Sequence, residues 1–276
     1  MVNIKKNYTI SIKLLIFLIL LISCSSKEKD SASVVLNDIQ IYKTGLSSLE
    51  NEDYKKAIIE FDNLSLNHPF SSLAKKSDIM TAYSLYQNNE IKKSISKLKI
   101  FIEMNPNDEF SDYAHYLLAM CYYIQVSNQG RDPSLSIKAL NSFMLIITKY
   151  PNSKYAKDSK LKIQYIKNSL ANNELDIGKF YLKKNAPASS IKRFKSILLN
   201  YQNTSSVPET LYRLTEAFLM IGLKKEAVKS DAVLKYNFPN SEWTNLSKSI
   251  LSDSSSSDEK KSLTSSIKNY FVTIFD

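Results

Sequence analysis

Residues 54–69, YKKAIIEFDNLSLNHP, contain the pattern that decides the fold. Within this stretch Ala57, Phe61, Leu64 and Pro69 follow one another at spacings of four, three and five residues. The spacings of four and three place the apolar side chains on one stripe of a helix with 3.6 residues per turn. The proline ends the helix because it has no backbone amide hydrogen to donate. The stretch therefore predicts an amphipathic helix followed by a turn.

The same frame recurs four more times along the chain. In order, the copies are Ser94, Leu98, Phe101 and Pro106; Ala139, Phe143, Ile146 and Pro151; Ser190, Phe194, Ile197 and Gln202; and Ala227, Asp231, Leu234 and Pro239. The last two copies each depart from the frame once, at Gln202 and at Asp231. Repeating units of this size cannot bury their apolar faces alone and must stack on their neighbours.

The first copy also shows a second helix. Gly45 lies twelve residues before Ala57, and Tyr54 lies three residues before it. A tetratricopeptide repeat carries the small residue of its first helix and the first apolar residue of its second helix at these positions, so the chain resembles a tetratricopeptide array. The resemblance implies an all-α fold, a right-handed superhelix of about five helix pairs (an α-solenoid) whose concave wall holds partners.

The turn after the second helix recurs as well. Pro151, Asn152 and Ser153 are repeated as Pro239, Asn240 and Ser241. We predict that the proline stops one helix and that the polar residue caps the next one. A side-chain oxygen at that position satisfies a free backbone amide of the first helical turn, which stabilises a helix by about 1 kcal/mol.

The N-terminus has the pattern of a bacterial lipoprotein signal. Lys5, Lys6 and Lys13 precede or open an apolar run from Leu14, and the run ends at Leu21, Ile22, Ser23 and Cys24. The run is too short for a membrane-spanning helix of about 20 residues. The pattern implies cleavage before Cys24 and acylation of its thiol, and Ser25 after it favours the periplasmic leaflet of the outer membrane. A soluble secreted protein is the alternative.

These features divide the chain into four parts. We predict a signal peptide at 1–23, a flexible tether at 24–33 and the repeat domain at 34–251. Residues 252–276 begin with a serine-rich linker. Beyond it, Ile267, Phe271, Ile274 and Phe275 fit either one face of a short docking helix or a frayed tail.

The charge and the arginine content of the chain limit the kinds of partner that we expect. The chain has 37 basic and 27 acidic residues, and without the three N-terminal lysines its net charge is +7. Only three residues are arginine, the type that favours bidentate phosphate recognition, so we predict no nucleic-acid partner. The positive charge has two explanations: it attracts an anionic membrane or an acidic partner, or it only reflects lysines on solvated helix faces.

No constellation of catalytic or metal-binding residues is visible. His68 and His115 fall in different repeats and have no ligand partner at helical spacing, and the four glycines form no phosphate loop. Cys121 lies in an apolar run, where we predict a buried thiol that packs as a small hydrophobe. We predict no enzyme activity, no cofactor and no metal.

Tyrosine is unusually abundant, with 17 of the 30 aromatic residues. Five tyrosines cluster on the predicted first helices of repeats two and three: Tyr83, Tyr86, Tyr113, Tyr116 and Tyr123. If Ala82 and Ala119 are the small residues of these helices, the five take positions that face the concave wall in this repeat family. Tyrosine suits an extended peptide because it offers flat apolar area and a hydroxyl at low entropic cost. Core packing between helices is the equal alternative.

Together these features resemble the BamD family, lipoproteins of the outer-membrane β-barrel assembly machine. The residues that carry the resemblance are His68, Pro69, Phe70, Ala82, Tyr83, Asp112, Tyr113, Tyr116, Arg131, Asp132, Pro133, Lys149, Tyr150, Pro151, Asn152, Ser153, Tyr155, Phe180, Tyr181, Ala186 and Arg193. They span most of the mature chain. Gln202, Asp231 and the tail after Ser252 depart from the family pattern.

The resemblance implies a non-catalytic scaffold with several partners. These are the barrel-forming subunit BamA, other lipoproteins of the machine, and unfolded outer-membrane β-barrel proteins held by the N-terminal repeats. Arg193 falls on a family arginine linked to the BamA contact, where it could pair with a carboxylate in a way that lysine cannot. Without the resemblance, Arg193 would be a solvated helix residue. The rival hypothesis is an envelope scaffold that coordinates cell-wall or cell-division machinery.

Overall fold

The computed structural model describes residues 37–126 and 133–252, which form eleven α-helices and no strands. The helices are α1 (Asp38–Glu50), α2 (Tyr54–Asn67), α3 (Ala74–Gln87), α4 (Ile91–Met104), α5 (Ser111–Tyr123), α6 (Ser134–Lys149), α7 (Ala156–Lys183), α8 (Pro187–Asn200), α9 (Val207–Met220), α10 (Lys224–Asn237) and α11 (Glu242–Ser252). The predicted signal, Cys24, the tether, Arg131 with Asp132, and the tail beyond Ser252 lie outside the described residues.

Each helix packs mainly against the helices next to it in the chain. The pairs α1–α2, α3–α4, α5–α6, α7–α8 and α9–α10 correspond to the five copies of the sequence frame, and α11 packs on α9 and α10 at the end. The first helices of neighbouring repeats also meet, since α3 contacts α5 and α7 contacts α9. The predicted all-α solenoid of about five helix pairs is confirmed.

The residues of the frame form the core. In the first four copies the small residue and both large apolar residues are all buried: Ala57, Phe61 and Leu64; Ser94, Leu98 and Phe101; Ala139, Phe143 and Ile146; and Ser190, Phe194 and Ile197. Burying a side chain of the larger kinds stabilises a fold by about 1.5–3 kcal/mol. The spacing that predicted the helices therefore also predicted what holds them together.

Two glycines let the paired helices approach closely. A Cβ atom added to Gly45 in α1 would lie 2.6 Å from Cε1 of Phe61, and one added to Gly178 in α7 would lie 2.2 Å from Cε1 of Phe194. Both rings are fully buried, so they have little room to move. The large ring in the second helix therefore requires a small residue at the facing position of the first helix.

The polar residue of the turn caps a different group from the one predicted. The hydroxyls of Ser71 and Ser153 accept hydrogen bonds from the amides of Leu73 and Tyr155, at 3.1 and 3.2 Å. The following helices begin only after those residues, and their N-cap positions have no side-chain hydrogen bond. For Ser71 and Ser153 the prediction that this residue caps the next helix is wrong, because each serine lies two residues before the N-cap position and bonds to the amide of the N-cap residue itself.

The same hydroxyls also donate hydrogen bonds that tie each turn to the start of its own repeat. Ser71 donates to Asp38 at 2.5 Å and Ser153 donates to Asp112 at 2.6 Å. Asp38 and Asp112 stand at the first turns of α1 and α5, where a carboxylate also interacts favourably with the helix dipole. The serine therefore closes the repeat instead of starting the next helix.

The long helix α7 accounts for the wide spacing between the third and fourth copies. It has 28 residues, about twice the length of most other helices in the array. It contacts α6 of repeat three as well as α8 and α9. The extra residues thus extend one continuous helix of about 42 Å that connects the first three repeats to the last two.

Asp231 departs from the frame because it holds the final helix. Its carboxylate is buried, accepts a hydrogen bond of 2.7 Å from Ser247 in α11 and pairs with Lys235 one helical turn away. Where the other repeats bury an apolar side chain, the last repeat uses a carboxylate that binds a serine of the terminal helix.

We expect Asp231→Ala to loosen α11. The substitution leaves the buried Ser247 hydroxyl without an acceptor, which costs about 2 kcal/mol. Hydrogen exchange should then show faster exchange in α11 and little change in α1 to α6. Combining it with Ser247→Ala should recover most of the loss, since removing both polar partners is far cheaper than removing one. Equal exchange in the variant and the native chain would contradict this role.

Candidate partner-binding surface

The five predicted tyrosines lie on two adjacent first helices. Tyr83 and Tyr86 are on α3, and the other three are on α5. All five are half-buried. Tyr83, Tyr86 and Tyr113 pack on the core of repeat two, while Tyr116 and Tyr123 pack on that of repeat three. Each ring therefore contributes to the core and also keeps part of its surface open, so the two alternatives are not exclusive.

Two further tyrosines extend this cluster to α7. Tyr155 stacks on Tyr116 with ring centroids 4.7 Å apart and lies 5.3 Å from Tyr113. Tyr165, which is mostly exposed, meets the edge of Tyr123 at 6.1 Å. We call these seven residues the aromatic band: Tyr83, Tyr86, Tyr113, Tyr116, Tyr123, Tyr155 and Tyr165. The band crosses three helices that the sequence frame treats separately.

Burial raises the pKa of four phenols of the band, so these phenols remain protonated at neutral pH and can donate hydrogen bonds: Tyr86, Tyr113, Tyr116 and Tyr123. Burial raises the pKa of Tyr113 well above its usual range, and nearby phenols raise it further. Burial likewise raises the pKa of Tyr116, together with the carboxylate of Asp158, to which the Tyr116 hydroxyl donates at 2.7 Å. This bond fixes the Tyr116 ring against α7.

Cations accompany the band. The ammonium group of Lys162 lies 5.2 Å from the ring centroid of Tyr123, and that of Lys154 lies 5.1 Å from the ring centroid of Tyr155. Lys162 also pairs with Asp158 at 3.4 Å. A cation over an aromatic face is attracted by the ring quadrupole. The surface can therefore offer a bound chain both flat apolar area and positive charge.

Tyr165 and Asp158 are not part of the sequence pattern, and Tyr155 is named only among the residues that carry the family resemblance. Their placement depends on α7 running without a break from repeat three into repeat four. The frame could not reveal this, because it describes only the second helix of each pair.

Arg193 lies on α8 and is half-exposed. Its Nη1 atom contacts both carboxylate oxygens of Glu174 in α7, at 3.2 and 3.1 Å. No further hydrogen bond to the guanidinium is seen within the described residues, and its side chain is 40% exposed. Arg193 therefore makes one ion pair within the chain and keeps part of its guanidinium exposed to solvent.

Groups with potential reactivity lie elsewhere and are separated. Cys121 is fully buried, its thiol lies 3.4 Å from the Ser94 hydroxyl, and burial raises its pKa. Burial lowers the pKa of His115, whose ring lies beside Tyr150. In residues 37–126 and 133–252, no three histidine, cysteine or acidic side chains are placed to hold a metal ion.

A solenoid of helix pairs packed in chain order has the architecture of the tetratricopeptide class of repeat proteins. The chain is a member of the YfiO family, described as outer membrane lipoproteins, whose family model matches residues 36–234. None of the helices described here is long and apolar enough to cross a membrane.

Two relatives that the chain matches over most of its length share one name. The chain is 40% identical over 230 residues to outer membrane protein assembly factor BamD of Rickettsia prowazekii, covering 83% of this chain and 91% of that protein. It is 37% identical over 203 residues to the BamD of Caulobacter vibrioides, which covers 74% of this chain and 67% of that protein. Among solved structures, the TPR2AB domain of yeast Sti1 superposes with a TM-score of 0.45 at 12% identity, covering 79% of this chain and 83% of that one. The relatives indicate a role in outer-membrane protein assembly.

Proposed function

We propose that this chain is a non-catalytic lipoprotein scaffold of the β-barrel assembly complex. In this proposal it binds BamA and unfolded outer-membrane proteins and promotes their folding and insertion. The observation that carries the proposal is the aromatic band, which joins three helices on one side of the repeats in a chain of the YfiO family. Other lipoproteins of the machine are further partners.

The band suits an unfolded chain with aromatic and apolar side chains. Stacking on a tyrosine face does not require a fixed sequence, and protonated phenols can donate to backbone carbonyls. Ordering an unfolded segment costs conformational entropy, so the affinity for each substrate is modest. Modest affinity also permits the release that handover to BamA requires.

We expect Tyr83→Ala combined with Tyr116→Ala to weaken binding of an unfolded barrel-protein segment by at least tenfold. Removing two stacking faces from the band is the physical reason, since aromatic pairs contribute about 0.5–1.5 kcal/mol each beyond their burial. Fluorescence anisotropy of a labelled segment measures the affinity, and circular dichroism measures helicity. Loss of helicity in this variant would favour the core-packing role instead.

A matched control separates the band from exposed tyrosine in general. Tyr236 on α10 is 77% exposed and lies outside the band. Tyr236→Ala should leave the affinity unchanged. An equal loss of binding in both variants, with helicity retained, would count against the aromatic band as the binding surface.

We further propose that Cys24 is acylated and holds the chain on the periplasmic face of the outer membrane. The support is the signal pattern before Cys24 together with membership of a lipoprotein family. Two acyl signals anchor a protein far more firmly than one. Residues 24–33 then serve as the tether and 34–251 as the binding domain. Mass spectrometry of the N-terminal peptide of the mature protein tests this, since an unmodified Cys24 would contradict it.

In the same proposal, repeats four and five grip BamA through a contact that includes Arg193. The half-exposed guanidinium beside Glu174 can take a second carboxylate while keeping the first. The first three repeats hold substrate and the last two hold BamA, and α7 connects the two functions.

A further inference from the structure

The most exposed large apolar side chains concentrate on the second helices of the first two repeats. Among the residues described, eight such side chains are more than three-fifths exposed, and five of these lie on α2, on α4 or in the turn after α2. We call these five the apolar patch: Ile59, Leu66, Phe70, Ile100 and Met104. Phe70 is fully exposed. Single exposed apolar residues are ordinary, but a cluster of this size marks an interaction surface.

An ion pair joins the two helices that carry the patch. Ile59 and Leu66 are seven residues apart on α2, and Ile100 and Met104 are four apart on α4, so each pair shares a helix face. Lys97 of α4 bonds to Asp62 of α2 at 2.9 Å, which holds the two helices side by side. Ile100 lines a cleft that α2, α3 and α4 form together.

Lysines flank the patch at one end. Lys56 precedes Ile59 by three residues and Lys93 precedes Ile100 by seven, and both lysines are exposed. They stand 37 residues apart, at equivalent positions of the two repeats. A helix surface that combines lysine with large exposed apolar residues suits the boundary between lipid headgroups and acyl chains. Long lysine side chains can reach phosphate groups while apolar neighbours insert.

The length of chain before the first helix brings this patch within reach of a bilayer. Helix α1 begins at Asp38, fourteen residues after Cys24. A chain of that length spans at most about 50 Å when fully extended. An acyl anchor at Cys24 therefore keeps the start of α1 within about 50 Å of the membrane. The tether raises the local concentration of lipid around the patch, so even weak intrinsic affinity suffices.

We propose that the apolar patch docks on the phospholipid surface to which Cys24 is anchored. The inference rests on the proposed anchoring, and it adds a second membrane contact that fixes the orientation of the solenoid. The patch lies on second helices, whereas the aromatic band lies mainly on first helices. Docking of the patch therefore leaves the band open to substrate.

Photo-crosslinking in the native envelope tests the proposal. The full-length chain carries benzoylphenylalanine in place of Phe70, and a matched chain carries it in place of Tyr236, which is also largely exposed but lies in repeat five. After irradiation, mass spectrometry identifies the adducts and reads the acyl mass on Cys24 from the same sample. We expect phospholipid adducts at position 70 at least fivefold above those at position 236.

A second variant tests the patch as a unit. Leu66→Ser with Met104→Ser, made in the chain with the probe at position 70, should reduce lipid adducts several-fold, and both residues are exposed enough for the fold to persist. Protein adducts at position 70, equal lipid adducts at the two positions, or no adduct at either would overturn the proposal while leaving an acylated Cys24 intact. An unmodified Cys24 would overturn the anchoring and this inference together.

Discussion

Gly178→Ala should destabilise the protein by about 2 kcal/mol, although alanine is the better helix former. The added Cβ would lie 2.2 Å from Phe194, whose ring is fully buried and cannot move aside cheaply. Overpacking of this kind costs up to about 3 kcal/mol, and the gain in helix propensity offsets about 1 kcal/mol of it. Thermal unfolding followed by circular dichroism should show a midpoint about 5 °C lower.

Two companion variants identify the cause. In a chain that already carries Phe194→Leu, Gly178→Ala should lower the midpoint less than it does in the native chain. The smaller side chain gives the added methyl group room. Ser169→Ala, at an exposed position of the same helix, should change the free energy of unfolding by less than about 0.5 kcal/mol. A Gly178→Ala protein as stable as the native chain would refute the close approach of α7 and α8.

Arg193→Glu should reduce recovery of BamA with the purified protein by at least tenfold. The substitution reverses the charge offered to a partner carboxylate and also places two carboxylates together at Glu174. Like charges that meet in a partly buried contact cost both affinity and geometry. Quantitative immunoblotting of BamA after affinity purification from the envelope measures the effect.

The neighbouring residue provides the control for charge alone. Lys192→Glu makes the same charge change at an exposed position of α8 and should leave recovery nearly unchanged. Glu174→Gln removes the internal pair while keeping Arg193, so it should retain BamA if the partner supplies its own carboxylate. Unchanged recovery with Arg193→Glu would defeat the assignment of this arginine to the contact.

The repeat frame predicted the fold because its residues are the core itself. Ala57, Phe61 and Leu64 set both the helix period and the buried stripe, so one pattern determined secondary structure and packing together. The frame could not predict α7, because the length of a first helix depends on residues outside the frame. It also could not interpret Asp231, whose partner Ser247 lies in a helix that follows the last repeat.

The candidate surface was predicted only in part. Sequence periodicity places Tyr113 and Tyr116 on one face of a helix, but it does not say which side chain of another helix will meet them. Tyr155 meets both because the turn after α6 and the start of α7 bring it there. Likewise, the sequence shows Arg193 as a cation, while its pairing with Glu174 depends on the packing of α7 against α8.

The most direct test of the assembly-scaffold proposal is purification of the full-length protein from its native envelope in gentle detergent, followed by mass spectrometry. We expect BamA to be recovered in near-equal amount, together with other lipoproteins of the machine, and barrel proteins in smaller amounts. Recovery of cell-wall or cell-division proteins without BamA would contradict it, and would identify the chain as an envelope scaffold of another pathway.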